Sequence, residues 1–164
     1  MPEAALIDPE LAAFLQRGVS VHVCSRGPTN IPNLVRGIGC RVSADRRQVT
    51  AFVLASQCGA LLAELAMNGV ISFVATLPSS HRTVQLKGTD AKAGAPQPGD
   101  EALVARQRAA LVEDLVGVGY APEMPRTLLG GDWGEAVAVT FTPTAAFVQT
   151  PGPGAGAPLG AGPR

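Results

Sequence analysis

The chain predicts an α+β fold with a mainly antiparallel sheet. Three β-type segments, residues 19–24, 34–43 and 48–55, follow one another with only turn chemistry between them. Helical spacing occurs in three separate places, and the order of strands and helices does not alternate as a βαβ winding would require. At 46% hydrophobic and 16% charged, the 164-residue chain is too apolar to be disordered as a whole.

Taken in order, Asp8-Pro9-Glu10 supplies an N-cap and a proline at the first helical position, with Leu11, Phe14 and Leu15 on one face and Gly18 as the stop. Residues 19–24 and 34–43 alternate apolar and polar, and 48–55 is a β-branched apolar run. The turns Arg26-Gly-Pro-Thr-Asn and Ala44-Asp45-Arg46-Arg47 join these as hairpins. Over 57–68 the period changes: Ala60, Leu61, Leu62, Leu65 and Ala66 share one helical face, ended by Asn68-Gly69. Residues 70–77 and 82–87 make two more strands around Pro78-Ser-Ser-His81. A Gly/Pro/Ala-rich linker, 91–99, leads to Asp100 as N-cap of a helix to about 116, with Leu103, Val104, Leu111 and Leu115 as its apolar stripe. Residues 136–149 read as a sixth strand broken at Pro143. The sequence thus divides into one domain, 1–149, and a Gly/Pro-rich tail, 150–164, which cannot bury enough to fold alone.

Composition narrows the function. No window approaches the roughly 18 uninterrupted apolar residues of a membrane span, and the N-terminus lacks the basic start of a signal peptide, so a cytoplasmic protein is expected. Cys24, Cys40 and Cys58 are odd in number and have no CxxC spacing, which suits reduced core thiols better than a metal site or a disulfide framework. Of the 33 Gly and Pro, nine lie within 151–164 and five within 88–99, so the excess belongs to the tail and the linker. The formal charge of zero is uneven: residues 11–89 carry a net of +6, almost all arginine, and 90–135 a net of −4. Arginine forks suit phosphate and carboxylate. With few aromatics and no basic run, a small phosphorylated ligand fits this half better than nucleic acid.

Several motifs give no site. The glycines of 117–119 and 152–156 do not open a helix after a strand, as a phosphate loop requires. His22 and His81 are the only histidines, too few for a histidine-built metal centre, and His22, mid-strand, reads as structural. No Gly-x-Ser-x-Gly elbow is present. The informative stretch is 80–88. On a strand, His81, Thr83, Gln85 and Lys87 share one face, opposite Arg82, Val84 and Leu86. Four hydrogen-bonding side chains on one face fit either a solvent-facing strand or a ligand-facing one.

Residues 19–88 resemble the pyridoxamine 5′-phosphate oxidase-like family of FMN-binding split β-barrels. The resemblance rests on Pro32-Asn-Leu-Val-Arg36 heading a strand, a helix ending Glu64-Leu-Ala-Met-Asn68, and Arg82-Thr-Val-Gln-Leu-Lys-Gly88, similar to the family's Arg-Gln-Val-Arg-Val-Glu-Gly. The closing strand and the Gln149-Thr-Pro-Gly-Pro-Gly segment are similar to those of uncharacterised relatives in the same group. The resemblance implies a six-stranded split β-barrel with flanking helices, a homodimer with FMN at the subunit interface, and an oxidoreductase of unknown small-molecule substrate. It implies that Arg36 contacts the flavin phosphate, that Gly37 and Ile38 lie along the ring, that Ala55, Ser56 and Gln57 stand near the ribityl phosphate, and that Thr83 or Gln85 reaches in from the later strand. His81, Arg82 and Lys87 complete the expected cofactor set. The family's Ser-Arg-Lys at the helix start falls here on Gly59-Ala60-Leu61, which supplies no cation or hydroxyl; Arg41, Arg82 or Lys87 are the candidates to replace it. The rival readings are a non-catalytic module holding haem or a deazaflavin, with His22 or His81 as ligand, and a scaffold with no ligand. No metal ion, nucleic acid or membrane is expected as a partner.

Overall fold

The computed structural model describes residues 6–159; the N-terminal pentapeptide and the last five residues of the predicted tail lie outside them. Among the described residues the chain forms α1 (Pro9–Leu15), β1 (Ser20–Arg26), β2 (Pro32–Gly37), β3 (Gly39–Val42), β4 (Val49–Leu54), α2 (Gly59–Asn68), β5 (Ile71–Leu77), β6 (Arg82–Gly88), β7 (Lys92–Gly94), α3 (Asp100–Gly117), α4 (Glu123–Leu128), β8 (Ala136–Phe141) and β9 (Ala145–Val148). Two antiparallel sheets result, one ordered β2-β1-β5-β6-β9 and the other β3-β4-β8-β7.

The α+β class stands, but nine strands replace the six read from sequence, each difference having a local cause. Ile38, between Gly37 and Gly39, carries the chain from one sheet to the other, so a single alternating run becomes β2 and β3. Pro143 has no N–H to give a ladder, and it divides β8 from β9. Within the linker, residues 92–94 pair with Thr140, Val139 and Ala138 as β7.

Asp8 caps α1 as its sequence requires, Oδ1 accepting from Leu11 N at 2.7 Å. Gly69 ends α2 in the left-handed region at φ +67°. The main core lies between the sheets, with Val21, Val23, Phe73, Ala75, Val84 and Leu86 from the first against Val49, Ala51, Val53, Val139 and Phe141 from the second. A smaller core of Ile38, Phe52, Leu54, Val104 and Ala138 lies between the second sheet and α3, with Trp133 packed on it. Every residue of β4 is therefore buried, alternate side chains serving the two cores.

Helix α3 buries Asp100, Val104, Gln107 and Leu111. Asp100 is its first residue, after Gly99, and its carboxylate pairs with Arg41 while accepting from Gln97 N. The Gln107 amide accepts from Cys40 N (2.9 Å) and donates to Cys40 O (2.7 Å), as a neighbouring strand would, so it satisfies the free edge of β3. Gly39 permits this approach, since a Cβ there would lie 2.7 Å from Gln107 Oε1. After Gln149 the chain turns back: Val148 N donates to Ala157 O, Gly156 N to Val148 O and Leu159 N to Ala146 O, laying residues 156–159 along β9.

Candidate functional site

The register of the first sheet fixes which side chains share its outer face. Cα pairing aligns Arg36 with His22, His22 with Val74, Val74 with Gln85 and Gln85 with Phe147. A parallel row runs through Leu34, Cys24, Ser72, Lys87 and Ala145, and a third through Ser20, Thr76 and Thr83. Directly opposed residues point to the same side. The inward neighbours Val23, Phe73, Ala75, Val84 and Leu86 are buried, whereas the outer rows are mostly half-buried, with Leu34 64% exposed.

At one end of this face a cleft of about 590 Å³ opens between Ser20, His22 and Thr76 on the strands, Pro78, Ser79 and His81 on the β5–β6 turn, and Leu115, Val118 and Tyr120 at the end of α3. The turn is tied to α3 by Ser79 N donating to Asp114 Oδ2 at 2.9 Å. Both histidines of the chain line this cleft, and among the described residues no carboxylate does. Arg36 stands at its edge, half-buried, its Nη1 donating a long 3.3 Å hydrogen bond to Ser20 Oγ. Burial, and then the Arg36 charge, hold the His22 imidazole below its ordinary pKa, so it is neutral near pH 7. His81 occupies the turn at φ +56° and is exposed.

The other expected cofactor residues are distributed unevenly around this cleft. Gly37 and Ile38 are buried at the junction of the two sheets, where Ile38 N donates to Phe52 O (2.8 Å) and a Cβ on Gly37 would lie 2.7 Å from Val21 Cγ1. Ser56 and Gln57 lie in a 3-10 turn (Ala55–Gln57) after β4, and β4 packs on β2, so this turn adjoins the same junction. Ser56 Oγ donates to the Glu135 carboxylate, and Gln57 is exposed. Thr83 and Gln85 are on the outer face but committed: Thr83 Oγ1 to His81 O and Thr76 Oγ1, and Gln85 to Ser72 (2.8 Å) and Gln149 (2.9 Å). Lys87 lies over the Phe147 ring at 5.2 Å. Arg82 is not brought to the cleft. It stacks on Phe14, 4.5 Å from the centroid, and pairs with Glu10 at 2.9 Å. Arg41, the other candidate anchor, is bound to Asp100.

The residues missed from sequence are Ser20, Thr76, Leu115 and Tyr120, which complete the cleft with His22. Ser20 was accessible from the alternation of β1, which places it on the face of His22; the α3 residues arrive only through tertiary packing. Tested against FMN, the donors fit one anionic contact through Arg36 beside a cleft of small-molecule size. The start of α2 offers backbone only, and the Glu135 carboxylate on Ser56 is ill suited to a second phosphate contact.

No protein-family model matches the sequence, and no curated protein matches it. Solved structures do. HupZ of Group A Streptococcus superposes with a TM-score of 0.53 at 16% identity over 92% of this chain and 99% of that one. A Clostridium acetobutylicum protein related to general stress protein 26, of the pyridoxinephosphate oxidase family, superposes with a TM-score of 0.50 at 16% identity over 90% of this chain and 89% of that one. At these identities the likeness is one of fold: the chain shares the fold of a pyridoxinephosphate oxidase family protein, as the resemblance of residues 19–88 leads one to expect.

Proposed function

We propose that the protein is a flavoprotein oxidoreductase, a homodimer binding FMN across the outer face of the five-stranded sheet and acting on a small molecule. The observation that carries this reading is Arg36, half-buried and holding a single long hydrogen bond beside a cleft that both histidines line and, among the described residues, no carboxylate enters. Such a guanidinium has unused charge-assisted donors, which a phosphate satisfies. Gly37 and Ile38 give the backbone beside it, His81 lines the cleft, Thr83, Gln85 and Lys87 continue the outer face, and Ser56 and Gln57 stand on the turn after β4, with Arg82 bracing α1 away from the cleft. A flavin, when bound, supplies hydride and electron transfer. The chain's part is to orient it: Arg36 fixes the anionic end, neutral His22 offers a hydrogen bond without competing charge, and Leu115, Val118 and Tyr120 narrow the mouth of the cleft.

A dimer is supported by Ile31 and Leu34, 67% and 64% exposed at the β2 edge of this face, apolar area that a second copy would cover. The test is the visible spectrum and FMN-fluorescence quenching of the purified protein, with sedimentation for its mass. Flavin absorbance, or quenching that the Arg36→Gln variant weakens by about tenfold or more, supports the reading; no flavin absorbance and no quenching overturn it.

A second reading rests on the two histidines sharing one cleft: a non-catalytic module that binds haem or a deazaflavin, with neutral His22 or exposed His81 as the haem ligand. A Soret band on haem titration that is lost in His22→Ala or His81→Ala distinguishes it from the flavin reading.

A further inference from the structure

A second cleft, on the far side of α3 from its buried stripe, holds charged groups the flavin reading does not use. Residues Arg108, Ala109, Val112 and Glu113 form one flank of α3 and, with Arg126 and Leu129 from α4 and its end, line an open cleft of about 300 Å³ in which Arg108 is half-buried and Arg126 exposed. Its floor is apolar, with Leu129 buried and Val112 half-buried. Two guanidiniums from different helices line its walls. Among the described residues neither guanidinium has an ion-pair or hydrogen-bonded partner, and the pairs Arg41–Asp100 and Arg82–Glu10 lie elsewhere.

That isolation is informative because of where it occurs. Residues 90–135 are the acidic part of the chain, with Glu101, Glu113, Asp114 and Glu123 on the same two helices. Arginines in such surroundings have carboxylates to pair with, yet these two line a cleft unpaired, while the one acid on its wall among the described residues, Glu113, lies more than 4 Å from both. Two forks beside an apolar floor are complementary to an oxyanion on a short apolar body: the forks take the oxygens and Ala109, Val112 and Leu129 take the hydrocarbon.

We propose that this cleft is a binding site for a small organic carboxylate or phosphate, separate from the sheet face. Its apolar floor makes a branched aliphatic carboxylate a tighter ligand than inorganic phosphate, and Glu113 weakens either by its like charge. The probes are 4-methylpentanoate and inorganic phosphate, titrated into the full chain and followed by calorimetry and by NMR shifts of the arginine side-chain N–H groups. Saturable binding at millimolar concentration, weakened by about tenfold or more in each of Arg108→Gln and Arg126→Gln and strengthened in Glu113→Gln, supports the site. Tighter binding of the carboxylate assigns an organic ligand, and tighter binding of phosphate overturns the role given to the apolar floor. No saturable binding of either probe, or binding unchanged in either arginine variant, overturns the site. Unchanged circular dichroism shows that the variants remain folded. Flavin binding, measured on the same samples, is expected to be unaffected, so this test and that of the flavin reading succeed or fail independently.

Discussion

On the four-stranded sheet the outward side chains Ile38, Phe52, Leu54 and Ala138 meet Val104 of α3, and the nearby charge of Arg41 is neutralised by a buried carboxylate. On the five-stranded sheet the row from Arg36 through His22, Val74 and Gln85 to Phe147 is only half-buried, meeting the end of α3 across an open cleft, and Arg36 keeps donors to spare. The same chain thus builds one sheet that is finished by its own helix and one that is not. Where a protein completes its own packing, polar groups are saturated internally; where it does not, a group such as Arg36 keeps donors free for water or an external acceptor.

The largest losses come from opening the covered side. Phe52→Ala removes a fully buried ring that touches Trp133 at 5.8 Å between centroids, and is expected to cost about 3–5 kcal/mol in urea unfolding. Gln107→Leu keeps the volume of the buried side chain but leaves Cys40 N and O without their partners, at a cost of about 2–4 kcal/mol by the same measurement. If that loss is below 1 kcal/mol, roughly the net worth of one ordinary hydrogen bond, then Gln107 does not stand in for a strand.

On the open side the expected changes are smaller in stability and larger in binding. Arg36→Gln is expected to alter unfolding free energy by no more than about 0.5 kcal/mol while reducing FMN quenching; a large stability loss would show that the guanidinium belongs to the fold. The smallest effect is a pH dependence. Burial and Arg36 depress the His22 pKa in the folded chain, so between that value and the ordinary 6.5 the unfolded chain holds more protons. Stability therefore falls as pH drops from about 6.5 through the folded pKa, and His22→Gln flattens this slope in urea melts taken across pH. The Glu64 carboxyl, held low by hydrogen bonds from Ser25 and Asn33, adds a loss of the same sign only at more acidic pH.

Much of the covered side was legible in the sequence because it is written in local patterns. The cap at Asp8, the stop at Gly69, the mostly apolar β4 and the positions Val104 and Leu111 follow from short-range rules. Gln107 was not legible, since a polar residue in an apolar stripe signals its partner only once β3 lies alongside. Strand β7 hid in a Gly/Pro/Ala stretch because three residues carry no periodicity and are strand only by pairing with β8. Helix α4 was missed because six residues containing Pro125 give no helical repeat. In the candidate site, Arg36 was found through a family likeness and Arg82 shares a side with Val84 and Leu86, as alternation required. That Arg82 is engaged by Glu10 and Phe14 depends on where α1 docks, which no spacing within β6 encodes.

The return of residues 156–159 along β9 has a bearing on assembly. With one margin of the five-stranded sheet occupied by the chain's own continuation, strand addition is open only at β2. A sheet able to extend in one direction joins one neighbour and stops, whereas a fibre needs two free margins on every copy. The backfolded segment thus acts as a terminator: were this sheet to extend by strand addition, it would stop at a closed pair, and deleting residues 150–164 is the change that would restore the second margin.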